Sequence, residues 1–223
     1  MSWTRAMMFN SMLAMLLVLP VLVPVVGAAD ESRQPTQPLH PQVLVEQTTD
    51  NMLAALKKHK QELDANPDLI YDLVKEIAVP HFDFIRMSRW VLGKYWRTAS
   101  KEQKLDFVRA FRTLMIKTYG VALLDYTNQK IKYLPLRDDL AREDVTVKTQ
   151  VLQSGKQPVT INYSLALRKG EWKVYDVTVD GISLISNFRT SFASEIKESS
   201  LDALIARLQQ HNQQKINQQK SSS

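Results

Sequence analysis

The chain has 223 residues, no cysteine, and 29 basic against 23 acidic residues, which gives a formal net charge of +6. The absence of cysteine excludes a disulfide scaffold, a cysteine nucleophile and thiolate metal ligands. The excess of basic residues is modest. It is compatible with contact with anionic membrane surfaces and is no basis for predicting nucleic-acid binding.

The N-terminus has the order of a secretory signal peptide. Arg5 is the only charged residue before Asp30, and an apolar stretch from residue 6 to residue 26 ends in the small residues Gly27-Ala28-Ala29. We therefore predict that residues 1–29 are cleaved on export, rather than retained as a membrane anchor. No later stretch is apolar for long enough to cross a bilayer, so the mature chain is expected to be soluble.

The remainder has the size of one domain with two polar margins. Residues 30–41 contain three prolines and are predicted to form a flexible leader. Residues 209–223, rich in Gln, Asn, Lys and Ser, are predicted to be a fraying helix followed by a disordered tail. Residues 42–208 are left for a single domain, which is long enough to build a stable hydrophobic core.

Helical periodicity dominates the first half of this domain. Residues 42–63 and 70–77 carry apolar stripes at helical spacing. Pro80 is expected to open a short helix, because proline suits the first helical turn. The strongest helix begins at Ser100, which can form a capping box with Gln103, and continues with apolar residues three or four apart.

The period then changes to two, which indicates β-strands over residues 145–152, 159–167 and 172–178. Glycine-containing turns at residues 154–156 and 169–170 join these strands into antiparallel hairpins. An earlier strand near residues 130–135 is expected to join the sheet. The turns predict four opposed pairs, which are Leu167 with Trp172, Leu165 with Val174, Val151 with Val159, and Val147 with Tyr163.

The third strand is expected to alternate without interruption, so that Trp172, Val174, Asp176 and Thr178 form one set. Two helical stripes, at residues 182–196 and 201–208, follow it. The order of helices, strands and helices predicts an α+β domain, with the helices packed on one face of a twisted antiparallel sheet.

Reactive groups are few. The four histidines are isolated and none has metal-ligand spacing, and every glycine after residue 29 is single, so neither a metal site nor a phosphate-binding loop is predicted. His81 and Asp83 could form a general-base dyad, which keeps a small-molecule lyase or isomerase open as the alternative function. Capping of the helix near Pro80 is the simpler role for both. We therefore predict that the protein is not an enzyme, with no catalytic residue and no cofactor.

Several short strings, in order between residues 42 and 212, carry a resemblance that composition does not. They are His81-Phe82-Asp83-Phe84, Met87-Ser88-Arg89, Val91-Leu92-Gly93, Trp96, Ala99-Ser100, Glu102-Gln103, Phe107, Phe111, Thr118-Tyr119, Val174-Tyr175-Asp176-Val177, Val179-Asp180-Gly181-Ile182-Ser183-Leu184, Asn187-Phe188-Arg189 and Ser191-Phe192. Together they resemble the MlaC family, the toluene-tolerance group of periplasmic phospholipid-binding proteins in Gram-negative bacteria. Phe188 departs from the tyrosine or tryptophan expected there.

The resemblance implies a nuclear-transport-factor-like cone with a deep apolar pocket between sheet and helices, and it implies no catalytic residues. It also implies a periplasmic carrier, expected to be a monomer, that exchanges phospholipid with two membrane complexes. One is an outer-membrane lipoprotein–porin complex, and the other is an inner-membrane ABC transporter complex that bears MCE domains.

Two sets of residues are expected to line such a pocket, although a filled core is the alternative for each of them, and an adaptor protein with a filled core is a third interpretation. The sheet wall would be Val147, Thr149, Val151, Val159, Ile161, Tyr163, Leu165 and Val174, and the helix wall Phe107, Phe111, Met115, Tyr119, Leu123, Phe188 and Phe192. Arg89, Lys94 and Arg189 are candidate partners for a lipid phosphate at the mouth.

Overall fold

The computed structural model describes residues 38–125, 129–153, 155 and 157–220, with side chains as far as residue 213. The predicted signal peptide, most of the predicted leader, residues 154 and 156 of the first predicted turn, and the last three residues of the predicted tail lie outside this part of the chain. Pro41, placed in the leader, is the first residue of a helix.

The described residues contain eight α-helices and five strands, joined by turns and loops. The helices are α1 (Pro41–Lys58), α2 (Lys60–Ala65), α3 (Leu69–Ile77), α4 (Phe84–Leu92), α5 (Lys94–Thr98), α6 (Lys101–Gly120), α7 (Leu184–Glu198) and α8 (Leu201–Lys220). The strands are β1 (Lys130–Tyr133), β2 (Asp144–Leu152), β3 (Val159–Arg168), β4 (Glu171–Val179) and β5 (Ile182–Ser183). The predicted α+β class is confirmed.

Local capping explains where two of the helices begin. The predicted capping box of α6 is confirmed, because the Ser100 side chain accepts the backbone N–H of Gln103 and the Gln103 side chain accepts the N–H of Ser100. Pro80 does not open α4. It lies in a short 3₁₀ turn (Val79–His81), and α4 begins at Phe84 because the Asp83 carboxylate accepts the N–H of Arg86 at 2.8 Å.

The five strands form one antiparallel sheet in chain order, β1 to β5. All four predicted cross-strand pairs are confirmed, and the strand expected near residues 130–135 is β1 at one edge of the sheet. We call the face that carries Val147, Ile161 and Leu165 the inner face, because helix α1 packs against it.

A β-bulge in β4 changes the predicted alternation. Ser164 pairs with Asp176 and Leu165 with Val174, so Tyr175 is an additional residue in β4. Beyond the bulge, Val177 and Val179 pair with inner-face residues of β3, and Asp176 lies on the outer face. The prediction that Asp176 and Thr178 continue the set of Trp172 and Val174 is therefore wrong.

The bulge gives the outer face two successive side chains that hold two different helices. The Tyr175 ring packs on Trp90 of α4, with 5.0 Å between ring centroids, and its hydroxyl donates to Asp144 at 2.7 Å. The Asp176 carboxylate accepts the hydroxyl of Ser183 and the N–H of Ile185 at the start of α7. Strand β4 is thus fastened to α4 and α7.

Buried apolar residues form three clusters rather than one. The first joins α4, α6, α7 and α8 with β3 and β4, the second joins α1, α2, α3 and α6, and the third joins α1 with β2, β3 and β4. Their separation is the feature of the fold that leaves room for a cavity.

The C-terminal helix crosses the predicted boundary between the domain and the fraying helix. Helix α8 runs to Lys220, so the boundary placed after residue 208 falls inside it. Asn212 is buried, its backbone carbonyl accepts the Lys117 ammonium, and its side chain donates to the carbonyl of Ala110 at 3.0 Å. In the described residues, we find no helix with the length and apolar character required to cross a bilayer.

Candidate functional site

A large apolar cavity lies between the sheet and the helices, where the three core clusters meet. Its volume is about 340 Å³, and it is partly open to solvent. A smaller cavity of about 40 Å³ adjoins it and shares Thr48, Thr49, Phe82 and Tyr163 with it. Cavities of several hundred cubic ångströms are typical of small-molecule sites.

The lining comes from nearly every element that surrounds the cavity. The helices and the segments next to them contribute Thr48, Thr49, Met52, Leu53, Val74, Ala78, Val79, Phe82, Phe84, Met87, Met115, Ile116, Tyr119, Gly120, Leu123 and Leu184. The strands contribute Ile131, Thr149, Val151, Ile161, Tyr163, Val177 and Val179. Among these described residues none is charged, so the cavity is suited to hydrocarbon rather than to a charged ligand.

The inner face of the sheet is part cavity wall and part filled core. Of the eight residues predicted for this wall, Thr149, Val151, Ile161 and Tyr163 line the cavity. Val147 and Leu165 are at most 1% exposed and pack with α1 in the third cluster. The remaining two also lie outside the main cavity, since Val174 lines only the smaller one and Val159 lines neither.

Helix α6 likewise lines the cavity over one part of its length and packs against α7 over another. The predicted wall residues Met115, Tyr119 and Leu123, on its C-terminal half and the turn after it, line the cavity. Four predicted wall residues do not, because their rings pack against one another between α6 and α7. These four are Phe107, Phe111, Phe188 and Phe192, with centroid separations of 5.3 to 6.2 Å.

The described lining contains five side-chain hydroxyl groups, two of which are bonded within the protein. Thr48 donates to the carbonyl of Leu44, and Thr149 donates to the carbonyl of Ile161, both at 2.7 to 2.8 Å. Burial, with a smaller effect of the neighbouring Tyr133, raises the pKa of Tyr163 to about 12, and burial also raises the pKa of Tyr119. Both phenols are therefore neutral at physiological pH.

The three candidate phosphate partners do not line the cavity. Arg89, Lys94 and Arg189 are all exposed. They lie instead near Gly93, where the Arg189 Nε atom is 3.3 Å from the position that a Cβ atom on Gly93 would occupy. They were predicted for the mouth of the pocket, and their role as partners of a lipid phosphate there stays a prediction.

The proposed dyad of His81 and Asp83 is also outside the cavity lining. Asp83 caps α4, as the simpler interpretation predicted. Burial is the main cause that lowers the pKa of His81, and nearby Lys173 lowers it further. The geometry therefore gives no support to the lyase or isomerase alternative, which needs both side chains to face the cavity.

Sequence reasoning missed the cavity residues of α1, α3, α4 and β4. Thr48 and Thr49 interrupt the apolar stripe of α1 between Val45 and Met52, and small polar residues at a core-facing position are a signal of unfilled space. Val177 and Val179 alternate with Asp176 in a phase opposite to that of Val174, which was a visible sign of the bulge.

Comparison with known families bears on what such a cavity holds. The family model described as "MlaC protein" matches residues 46–210, which covers the whole cavity lining and all residues of the three core clusters except Leu44 and Val45. The chain belongs to the MlaC family. The adaptor with a filled core, considered from the sequence alone, does not fit a member with a continuous cavity.

Relatives within the MlaC family are similar over most of their length. A toluene tolerance protein, ttg2D, from Pseudomonas putida is 35% identical over 164 residues, which cover 73% of this chain and 75% of the relative. An intermembrane phospholipid transport system binding protein, MlaC, from Haemophilus influenzae is 25% identical over 179 residues, or 79% of this chain and 84% of the relative.

A solved structure of similar fold comes from Ralstonia solanacearum. It is a phospholipid-binding protein in complex with a phospholipid, and it is 30% identical to this chain. The superposition has a TM-score of 0.73 and covers 79% of this chain and 98% of that one.

Proposed function

We propose that this protein is a periplasmic phospholipid carrier of a lipid-asymmetry transport system. The apolar cavity is the observation that carries the proposal, since its described lining has no charged residue and two of its five hydroxyl groups are bonded within the protein. The related protein that was solved with a phospholipid supports the same class of cargo.

The energetics of lipid transfer explain why such a cavity is required. A phospholipid with about 30 chain methylenes in water, at ~0.8 kcal/mol each, would be disfavoured by on the order of 20 kcal/mol. A carrier that surrounds the chains with apolar side chains removes most of this cost. Transfer then proceeds between sites of similar affinity, without release of the lipid into water.

The proposed route connects two membranes. In this proposal the carrier is exported by its N-terminal signal peptide and exchanges phospholipid with an outer-membrane lipoprotein–porin complex. It also exchanges phospholipid with an inner-membrane ABC transporter complex that bears MCE domains. The name of the Haemophilus influenzae relative supports the phospholipid transport system, and the two complexes and the periplasmic location go beyond that name. The carrier performs no chemical step on its cargo.

Analysis of bound lipid tests the proposal most directly. The protein is purified without detergent, extracted with organic solvent, and the extract is analysed by mass spectrometry. We expect phospholipid in an amount comparable to that of the protein. A phospholipid-free extract from folded protein would contradict the carrier function.

A further inference from the structure

The segment that contains α4 and α5 has an unusual charge pattern. From Phe84 to Lys101, both included, the sequence contains five basic residues and no acidic residue. Trp90, Tyr95 and Trp96 occur within the same stretch. Among the basic residues of this stretch, Arg86 has a compensated charge, because its guanidinium forms an ion pair with Asp144 at 3.0 Å.

Contacts between rings and cations join these side chains into one surface. The guanidinium of Arg89 and the ammonium of Lys104 lie 6.0 and 5.7 Å from the ring centroid of Trp96. The Lys94 ammonium lies 5.1 Å from the centroid of Tyr95. Arg189 of α7 reaches the same place, because its side chain lies against Gly93 between α4 and α5.

The surface also exposes apolar groups beside the cations. Ile85 is 58% exposed and Trp90 is 43% exposed, and both lie on the outward side of α4 with Arg89. We call the set formed by Ile85, Arg89, Trp90, Lys94, Trp96 and Arg189 the basic–aromatic patch. Within the described residues, no carboxylate forms an ion pair with Arg89, Lys94 or Arg189.

We propose that the basic–aromatic patch binds the surface of a bilayer that contains anionic phospholipid. Exposed tryptophan together with lysine and arginine is the composition of protein surfaces that lie at the lipid–water boundary. The uncompensated cations would meet lipid phosphates, while Ile85 and Trp90 would enter the headgroup layer. This proposal rests on the carrier function for its purpose. It adds a site at which the carrier contacts the membrane itself.

The form of the patch favours a lipid surface over an acidic protein. Its cations belong to three different helices and are spread over the surface. Lipid phosphates can move within the membrane to meet each of these cations, so they need no fixed arrangement that matches the patch. Its strongly exposed apolar part consists of two side chains, which is little for a protein interface that usually buries ~800 Å² on each partner. Each cation near an anionic surface strengthens binding by roughly fivefold, so the contact is reversible, as a carrier requires.

Vesicle binding tests the proposal with a matched pair of variants. The purified protein is mixed with vesicles of phosphatidylcholine alone and with vesicles that also contain phosphatidylglycerol, at low and high salt, and the bound fraction is measured by sedimentation. The patch variant carries Arg89→Gln, Lys94→Gln and Arg189→Gln, which removes the three exposed cations of the patch. The control carries Lys57→Gln, Lys132→Gln and Lys148→Gln, which removes the same charge from α1, β1 and β2.

We expect salt-sensitive binding that requires phosphatidylglycerol, a loss of affinity of roughly a hundredfold in the patch variant, and little change in the control. A second variant, Trp90→Phe, keeps a ring on Tyr175 and should reduce the blue shift of tryptophan emission that the vesicles cause, since Trp96 is then the remaining tryptophan of the patch. Absence of binding, equal binding to both kinds of vesicle, or equal loss in both triple variants would overturn the proposal.

The outcome is separate from that of the carrier function. If the protein contains phospholipid but does not bind anionic vesicles, the patch proposal alone fails, and an acidic protein becomes the better partner for this surface. If the protein binds vesicles but its extract contains no phospholipid, the carrier function fails and the patch proposal stands.

Discussion

Ile161 and Leu165 lie on the inner face of β3, four residues apart, yet they meet different surroundings. Leu165 is fully buried against α1 and β2, whereas Ile161 faces the cavity and stays partly accessible. A polar change at Leu165 would break the core. A polar change at Ile161 would act on whatever occupies the cavity, which makes it the more informative position.

Ile161→Glu is therefore expected to abolish phospholipid loading while the protein still folds. A carboxylate in contact with acyl chains must either lose its hydration or exclude the chains. The matched control is Gln150→Glu, which adds one carboxylate on the outer face of the neighbouring strand. Lipid content after detergent-free purification is the measurement, and normal loading of a folded Ile161→Glu protein would place Ile161 outside the binding site.

The raised pKa of Tyr163 leads us to expect a loss of stability at alkaline pH. Its pKa is raised from 10.0 to about 12 in the folded protein, so the neutral phenol favours the folded state. This contribution is complete below pH 10 and is lost as the pH rises from about 10 to about 12. Urea midpoints measured over that range should fall less steeply for Tyr163→Phe. Part of the fall in the urea midpoint should remain in that variant, because the pKa of Tyr175 is also raised to about 12.

At the scale of elements, the link between α4 and α5 depends on one glycine. Gly93 has φ of 52° and ψ of −118°, a conformation that side chains with a Cβ atom rarely adopt, and Arg189 occupies the space beside it. The close approach of Arg189 holds α7 against this link. Gly93 is thus required both by its backbone conformation and by its neighbour.

Gly93→Ala should destabilise the protein by about 1–3 kcal/mol, measured as a shift of the urea unfolding curve. The control is Gly120→Ala. Gly120 has helical φ of −60°, and a Cβ atom there would lie at an ordinary 3.5 Å from Tyr71, so a gain of about 0.5–1 kcal/mol is expected. Similar effects of both substitutions would refute the role of the backbone conformation at Gly93.

Elements set by local sequence were predictable, and elements set by packing were not. The capping box at Ser100 and the hairpin pairs of Leu167 and Val151 follow from residues close in sequence, and they were confirmed. The bulge at Tyr175 leaves only a change of phase between Val174 and Val177 in the sequence. The contacts that α4 and α7 make with it come from residues distant in sequence.

The same limit applies to the cavity. The stripe of α6 is equally apolar at Phe107 and at Met115, so periodicity assigned both to one wall. Phe107 packs against Phe192, while Met115 faces the cavity, because α7 covers only the first half of α6. Distinguishing wall from core required knowledge of where the neighbouring helix ends.

At the scale of the molecule, the residues that stabilise the fold lie in three clusters around one cavity, so folding does not depend on what the cavity binds. Each cluster is built from buried residues that pack without the contents of the cavity. A carrier must exist both loaded and empty. Clusters that remain packed in both states allow the protein to release its cargo without unfolding, although the empty cavity lowers its stability.

Removal of bound lipid should therefore lower the unfolding temperature without abolishing cooperative unfolding. A ligand that binds only the folded state raises its stability by about 2.7 kcal/mol when present at a hundred times its dissociation constant. Differential scanning calorimetry before and after delipidation measures the difference, and added phospholipid should restore it. Ile161→Glu is the control that should not respond. An identical unfolding temperature with and without lipid would contradict this coupling.

The bulge in β4 has a consequence for insertions and deletions. Loss of the codon for Tyr175 would keep Val177 and Val179 facing the cavity but would remove the ring on which α4 rests. Loss of the codon for Val177 would turn Thr178 inward and Val179 outward. The reading frame is intact in both cases, yet the second change would exchange an aliphatic side chain for a hydroxyl in the cavity wall. This strand should tolerate changes of residue far better than changes of length.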